Sequence, residues 1–160
     1  MKSTLFFCLL FILLFNYANA QSINAQDSAS LVNLYNRTHG SSWTHHDNWL
    51  TTNPVSTWYG VTVSGTRVTG LSLSNNNLTG TIPDSTGLLT ALQSLDFSKD
   101  KLSGPIPSAI GRLQALKTLN LSANSFTGTA LPDSIGMLTN LSVLTIHNAK
   151  LSGSTPYYNW

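Results

Sequence analysis

From Val68 onward the apolar positions fall on a fixed beat. The stretch Val68–Ala91, VTGLSLSNNNLTGTIPDSTGLLTA, returns as Leu92–Ala115 and Leu116–Asn140, and starts a fourth time at Leu141. Leu71 to Leu95 is 24 residues, Leu95 to Leu119 is 24 and Leu119 to Leu144 is 25, a period that marks a solenoid. Within each copy the pattern alternates: Leu71 and Leu73 are flanked by Gly70, Ser72 and Ser74. This is strand periodicity with one buried face. The equivalent pairs are Leu95 and Phe97, Leu119 and Leu121, then Leu144 and Ile146. Stacked copies make a parallel sheet with an apolar ladder inside. Burying one such side chain contributes about 1.5–3 kcal/mol, too little for a single copy to fold alone.

Polar slots recur on the same beat. Asn76 and Asn124 stand where the chain leaves the strand, where an amide side chain can bond backbone groups left unpaired by the bend. Asp100 keeps only the acceptor at that slot and Ala149 keeps nothing, so the fourth turn is expected to be looser. Each copy continues as Leu78-Thr-Gly-Thr-Ile-Pro83 or Leu102-Ser-Gly-Pro-Ile-Pro107. Together with LxxLxLxxNxL, this resembles the plant-type leucine-rich repeat over Val68 to Pro156. The resemblance implies an α/β solenoid with a parallel sheet on its concave face, a second short strand, and a convex helical turn. Pro fits the first position of such a turn. The third copy departs with one extra residue in Gly128-Thr-Ala-Leu-Pro132, and the fourth with Thr155 where Ile is expected.

The beat is absent between Asp27 and Arg67, a region read as the N-terminal cap. Asp27 is expected as a helix N-cap, Leu31, Leu34 and Tyr35 as one helical face, and Gly40 as the helix end. Val61–Val68 predicts a hairpin turning at Ser64-Gly65. Trp43, Trp49 and Trp58 are expected as lids over the open end of the ladder. Trp58-Tyr-Gly-Val-Thr-Val63 resembles the W-x-G-V-x-C signature of plant-type caps, which bridge that Cys to another just before the Trp. Here Val63 stands at the first position, with Ser56 and Thr57 near the second, so the chain resembles a cysteine-free variant of that cap.

Composition adds a compartment. Met1–Ala20 has a basic n-region at Lys2, an apolar run from Leu5 to Phe15, and the small-x-small pattern Ala18-Asn-Ala20. It reads as a secretory signal peptide, leaving residues 21–67 as cap and 68–160 as about four repeats, the last incomplete. The mature chain is expected to be secreted and to carry no membrane span. The sole cysteine, Cys8, lies in the leader, so stability must come from stacking. With 9% charged residues and a net charge of +2, the chain lacks the basic clusters that nucleic acid demands.

Outward positions of the strands form a grid. The first row is Ser72, Asp96, Asn120 and Thr145, and the second is Ser74, Ser98, Ser122 and His147. Asn75, Lys99, Ala123 and Asn148 follow, with Asn77, Lys101, Ser125 and Lys150 at the edge. The family resemblance implies that this concave face binds ligands: an extracellular protein, peptide or glycan. His45-His46-Asp47 does not make a metal site, because adjacent side chains on an extended segment point apart. His147 lies near Ser122 and Ser98, yet no GxSxG elbow occurs, and neither catalysis nor a cofactor is expected. Glycosylation sequons begin at Asn36, Asn77, Asn120 and Asn140. The reading is a non-catalytic recognition module. An ice-binding or surface-adhesion protein, or a piece of a longer receptor ectodomain, is the alternative.

Overall fold

A computed structural model describes residues 22–128 and 131–151. The expected leader and its cleavage site, residues 129–130 of the longer third copy, and Thr155 lie outside the described residues.

The alternating pairs become strands. Strands β1 (Val61–Ser64), β2 (Arg67–Ser72), β4 (Ser94–Asp96), β6 (Thr118–Asn120) and β7 (Val143–Thr145) form one sheet in the order β1-β2-β4-β6-β7. Only β1–β2 is antiparallel; the rest pair in parallel with Leu71, Leu95, Leu119 and Leu144 in register. The ladder extends beyond the strands. Leu73 N donates to Asp96 O (2.9 Å), Phe97 N to Asn120 O (3.0 Å) and Leu121 N to Thr145 O (2.9 Å). The second, two-stranded sheet pairs β3 (Thr79–Gly80) with β5 (Lys101–Leu102) in parallel.

The convex side is made of 3₁₀ turns at Asp84–Leu88, Ser108–Arg112 and Asp133–Met137. Pro83, Pro107 and Pro132 stand one place earlier than expected, as caps rather than first helical residues. Their carbonyls accept from Thr86 N, Ile110 N and Ile135 N, which closes each turn. Consecutive turns touch so closely that a Cβ on Gly87 would strike the Ala109 carbonyl, and one on Gly111 the Ser134 carbonyl. Glycine is required there by close approach.

Between sheet and turns lies the core. Leu71, Leu95 and Leu119 are at most 1% exposed, and Leu73, Phe97 and Leu121 are fully buried. In the last described coil Leu144 and Ile146 are only half-buried, because no further coil among the described residues packs on them, while Val143 is exposed in the outward slot beside Thr118. Leu131 takes the slot of Ile82 and Ile106, so the longer third copy keeps its apolar contact.

The cap begins with α1 (Ala25–Arg37). Its N-cap is Asn24, whose Oδ1 accepts from Gln26 N (2.8 Å), and not Asp27 as expected. Asp27 lies inside the first turn, fully buried, and accepts from Arg67 Nε (3.0 Å), Arg67 Nη2 (3.1 Å) and Val68 N (2.8 Å). It clamps the helix to the first repeat strand, a long-range role that local capping rules do not reveal. The helix ends at Thr38 rather than Gly40, and the hairpin turns at Gly65-Thr66, one residue later than expected. Tyr35, Trp43, Trp49 and Trp58 form a continuous aromatic chain, with Trp43–Trp49 and Trp49–Trp58 centroids 4.9 Å apart. All three indole N–H groups are bonded, to Thr38 O, Tyr59 O and Asn53 O. The tryptophans are the lids, and their packing holds the cap where Val63 leaves no bridge.

Candidate functional site

The strand register lines up the first outward row. Ser72 stands beside Asp96, Asp96 beside Asn120, and Asn120 beside Thr145. Ser72 is exposed and the other three are half-buried. Parallel strands lie about 4.8 Å apart, so the row spans about 14 Å. Asp96 Oδ1 accepts from Ser98 N (2.9 Å) and Asn120 Oδ1 from Ser122 N (3.2 Å). These Asx turns fix both side chains and leave Asp96 Oδ2 and Asn120 Nδ2 without a protein hydrogen bond among the described residues.

The second row is less available than the grid implied. Ser98 and Ser122, which stand just before the left-handed corners at Lys99 and Ala123, are buried, at 5% and 3% exposure. Both therefore offer little surface to a ligand. Ser122 Oγ lies 3.3 Å from His147 Nδ1, and no carboxylate among the described residues bonds that imidazole. Ser74 is half-buried and His147 is exposed. The third row, Asn75, Lys99, Ala123 and Asn148, adopts φ of 54, 57, 53 and 53°, a left-handed corner in each coil. Asn suits that corner; Lys99 and Ala123 occupy it under strain. Lys99 and Lys150 are exposed, and Lys101 Nζ donates to Asn77 Oδ1 (2.8 Å).

Behind the corners runs a buried polar ladder. Asn124 Oδ1 accepts from Leu102 N (3.0 Å), and its Nδ2 donates to Phe97 O (2.7 Å), Leu121 O (3.1 Å) and Ser122 O (3.3 Å). One coil earlier Asp100 Oδ1 accepts from Asn76 N (2.9 Å) and Leu78 N (3.0 Å), while the buried Oδ2 has no partner. Burial pushes the Asp100 carboxyl up to about 6, against the backbone N–H groups that favour its charged form. Asn76 reaches into the cap, accepting from His45 N (2.6 Å) and donating to His45 O (2.8 Å). Ala149 can supply no such bond, as expected from its side chain.

By sequence alone His45 makes no metal site and Tyr59 has no role of its own. The structure stacks their rings, with centroids 4.9 Å apart and planes at 27°. Both are exposed. Of the sequons, Asn36 is exposed on α1, Asn77 Nδ2 donates to Ser42 O (2.8 Å), and Asn140 Nδ2 to Gln114 O (2.7 Å). Asn120 alone lies in the outward row. Among the described residues no group of three or more His, Cys, Asp or Glu could hold a metal. No helix there is long and apolar enough to cross a membrane.

Stacked coils, a parallel concave sheet and 3₁₀ turns behind it define a leucine-rich repeat solenoid. The Leucine rich repeat family model matches residues 66–126, and a second Leucine Rich Repeat model matches 115–138. Over the matched residues 66–138 the chain carries the repeats of a plant-type leucine-rich repeat protein. No curated protein sequence matches it. Among solved structures it is similar to the PEPR1–AtPEP1 crystal structure, at 29% identity and a TM-score of 0.64 over 78% of this chain. It spans only 18% of that matched chain. A chain of the BIR3–SERK2 complex from Arabidopsis thaliana is 29% identical with a TM-score of 0.57, over 79% of this chain and 84% of that one. A plant ice-binding protein is 26% identical with a TM-score of 0.55, over 82% of this chain and 50% of that one.

Proposed function

We propose that the chain is a secreted, non-catalytic recognition module that binds an extracellular protein or peptide across its concave face. The carrying observation is the outward row Ser72–Asp96–Asn120–Thr145, held in register and offering free hydroxyl, carboxylate and amide groups about every 4.8 Å. Similar solved structures include PEPR1–AtPEP1 and the BIR3–SERK2 complex, which supports a partner of this class. Ser72, Ser74, Asp96, Asn120, Thr145 and His147 are the contacts proposed, with Lys99 at the edge. A glycan at Asn36 would leave this face open, whereas one at Asn120 would cover it. Capture of an extracellular partner by the mature chain tests the reading. Asn120→Arg is expected to abolish capture, and Gln114→Arg, in the exposed turn between Arg112 and β6, to leave it intact. Equal capture by both variants would refute it.

Ice binding is the second reading, because a plant ice-binding protein shares the fold. The mixed first row disfavours it: an acid and an amide interrupt the hydroxyls that would face a regular lattice. A thermal-hysteresis measurement on the mature chain decides. A marked depression of ice growth would replace the recognition reading.

A further inference from the structure

The cap holds two sets of aromatic rings with different fates. Trp43, Trp49 and Trp58 are at most 6% exposed and every indole N–H is bonded within the protein. The stacked pair His45–Tyr59 is excluded from that core. Both rings face solvent, and neither the Tyr59 hydroxyl nor a His45 ring nitrogen has a hydrogen-bond partner among the described residues.

Backbone bonds fix where this pair sits. His45 N and O both bond the Asn76 side chain, at the end of the first repeat strand. Gly60, directly after Tyr59, accepts from Ser72 N (2.8 Å), so Tyr59 is tied to the first residue of the outward row. The ring pair therefore flanks the N-terminal end of the row.

We propose that the His45–Tyr59 stack is the N-terminal subsite of the concave face and seats a proline ring of a bound peptide in the polyproline II conformation. This rests on the concave-face reading above. A flat electron-rich ring face suits the C–H edge of proline, and aromatic docking of preformed polyproline II segments is a general recognition mode. The repeat lengths agree. Polyproline II turns every three residues with a rise of about 3.1 Å, so it repeats after about 9.3 Å. Two coils of the sheet span about 9.6 Å. A peptide laid across the strands would present the same edge to Ser72 and then to Asn120. Its carbonyls, unbonded within that helix, are suitable acceptors for the Ser72 hydroxyl and the free Asn120 Nδ2.

The test is a titration of isotope-labelled full-length mature chain, followed by NMR, with hexaproline, a Gly/Ser hexapeptide and cellohexaose as probes. Hexaproline is expected to shift the Tyr59 and His45 ring signals together with Ser72 and Asn120. Tyr59→Ala is expected to weaken hexaproline binding at least tenfold with an unchanged melting temperature, and His45→Ala to weaken it as well. Hexaproline shifting Ser72 and Asn120 but not the rings, with Tyr59→Ala unchanged, would overturn the subsite and leave the concave-face reading standing. Shifts confined to the convex turns would overturn both. Ring shifts with cellohexaose and none with hexaproline would replace the peptide by a sugar, and no ring shift with any probe would equally overturn the proposal.

Discussion

Replacing Asp100 with Asn is expected to make the protein more stable at neutral pH and to remove much of its pH dependence. At the equivalent slot Asn124 makes one acceptor and three donor contacts through its amide. Asp100 reproduces the acceptor through Oδ1, but its buried Oδ2 lacks a partner. The carboxyl is held up at about 6, against 3.8 for a free Asp, by burial foremost and by Asp96 to a lesser degree. A folded value above the unfolded one means the group favours folding most below about pH 4 and loses that contribution as pH rises through about 6. The difference corresponds to about 3 kcal/mol. An Asn supplies the missing N–H at every pH, so Asp100→Asn should add about 1–3 kcal/mol near pH 7. Near pH 4 the protonated wild-type carboxyl donates for itself and the advantage should shrink towards zero. Urea denaturation of both proteins at the two pH values reads this directly, and comparing the pair at each pH cancels the other acids. Destabilisation by Asn at pH 7, or a gap unchanged between the two pH values, would refute the assignment.

Leu119→Ala removes a fully buried rung and should cost about 2–5 kcal/mol by chemical denaturation, whereas a loss below about 0.5 kcal/mol would mean the stacking register is wrong. Ala123→Gly relieves a left-handed corner at φ 53° and should stabilise by about 1 kcal/mol, read as a raised midpoint in the same assay. Asp27→Ala leaves Arg67 and Val68 N without their acceptor and should cost about 1–3 kcal/mol, with faster amide exchange at Val68 as its local signature. Deleting residues 27–67 exposes the first rung to water and should leave no monomeric, cooperatively melting protein.

The repeat was legible because its signal is periodic. Every coil restates the same leucines, so register, ladder and convex turns follow from spacing alone. The cap was legible only in kind. Asp27 has the residue type of an N-cap, but its partner Arg67 lies 40 residues away, and only the fold brings them together. The hairpin slipped one residue because Ser64-Gly65 and Gly65-Thr66 are both acceptable turns, and the pairing of Val63 with Val68 decides between them. At the site, alternation correctly placed Ser72, Asp96 and Asn120 outward. It failed at Ser98 and Ser122, because alternation applies within a strand and both lie beyond the strand ends at Asp96 and Asn120, buried just before the corners at Lys99 and Ala123. Tyr59 was hidden for a different reason. Beside three tryptophans an aromatic residue reads as core, and nothing local distinguishes the one left outside.

The central claim is that ligand meets the outward row of the parallel sheet. A photo-crosslinking amino acid at position 120, compared with the same group at position 114 in the exposed turn before β6, tests it most directly in native extracellular fluid. The account predicts a discrete adduct from position 120, suppressed by the Asp96→Arg change, and none from position 114. An adduct from position 114 with none from position 120 would contradict it.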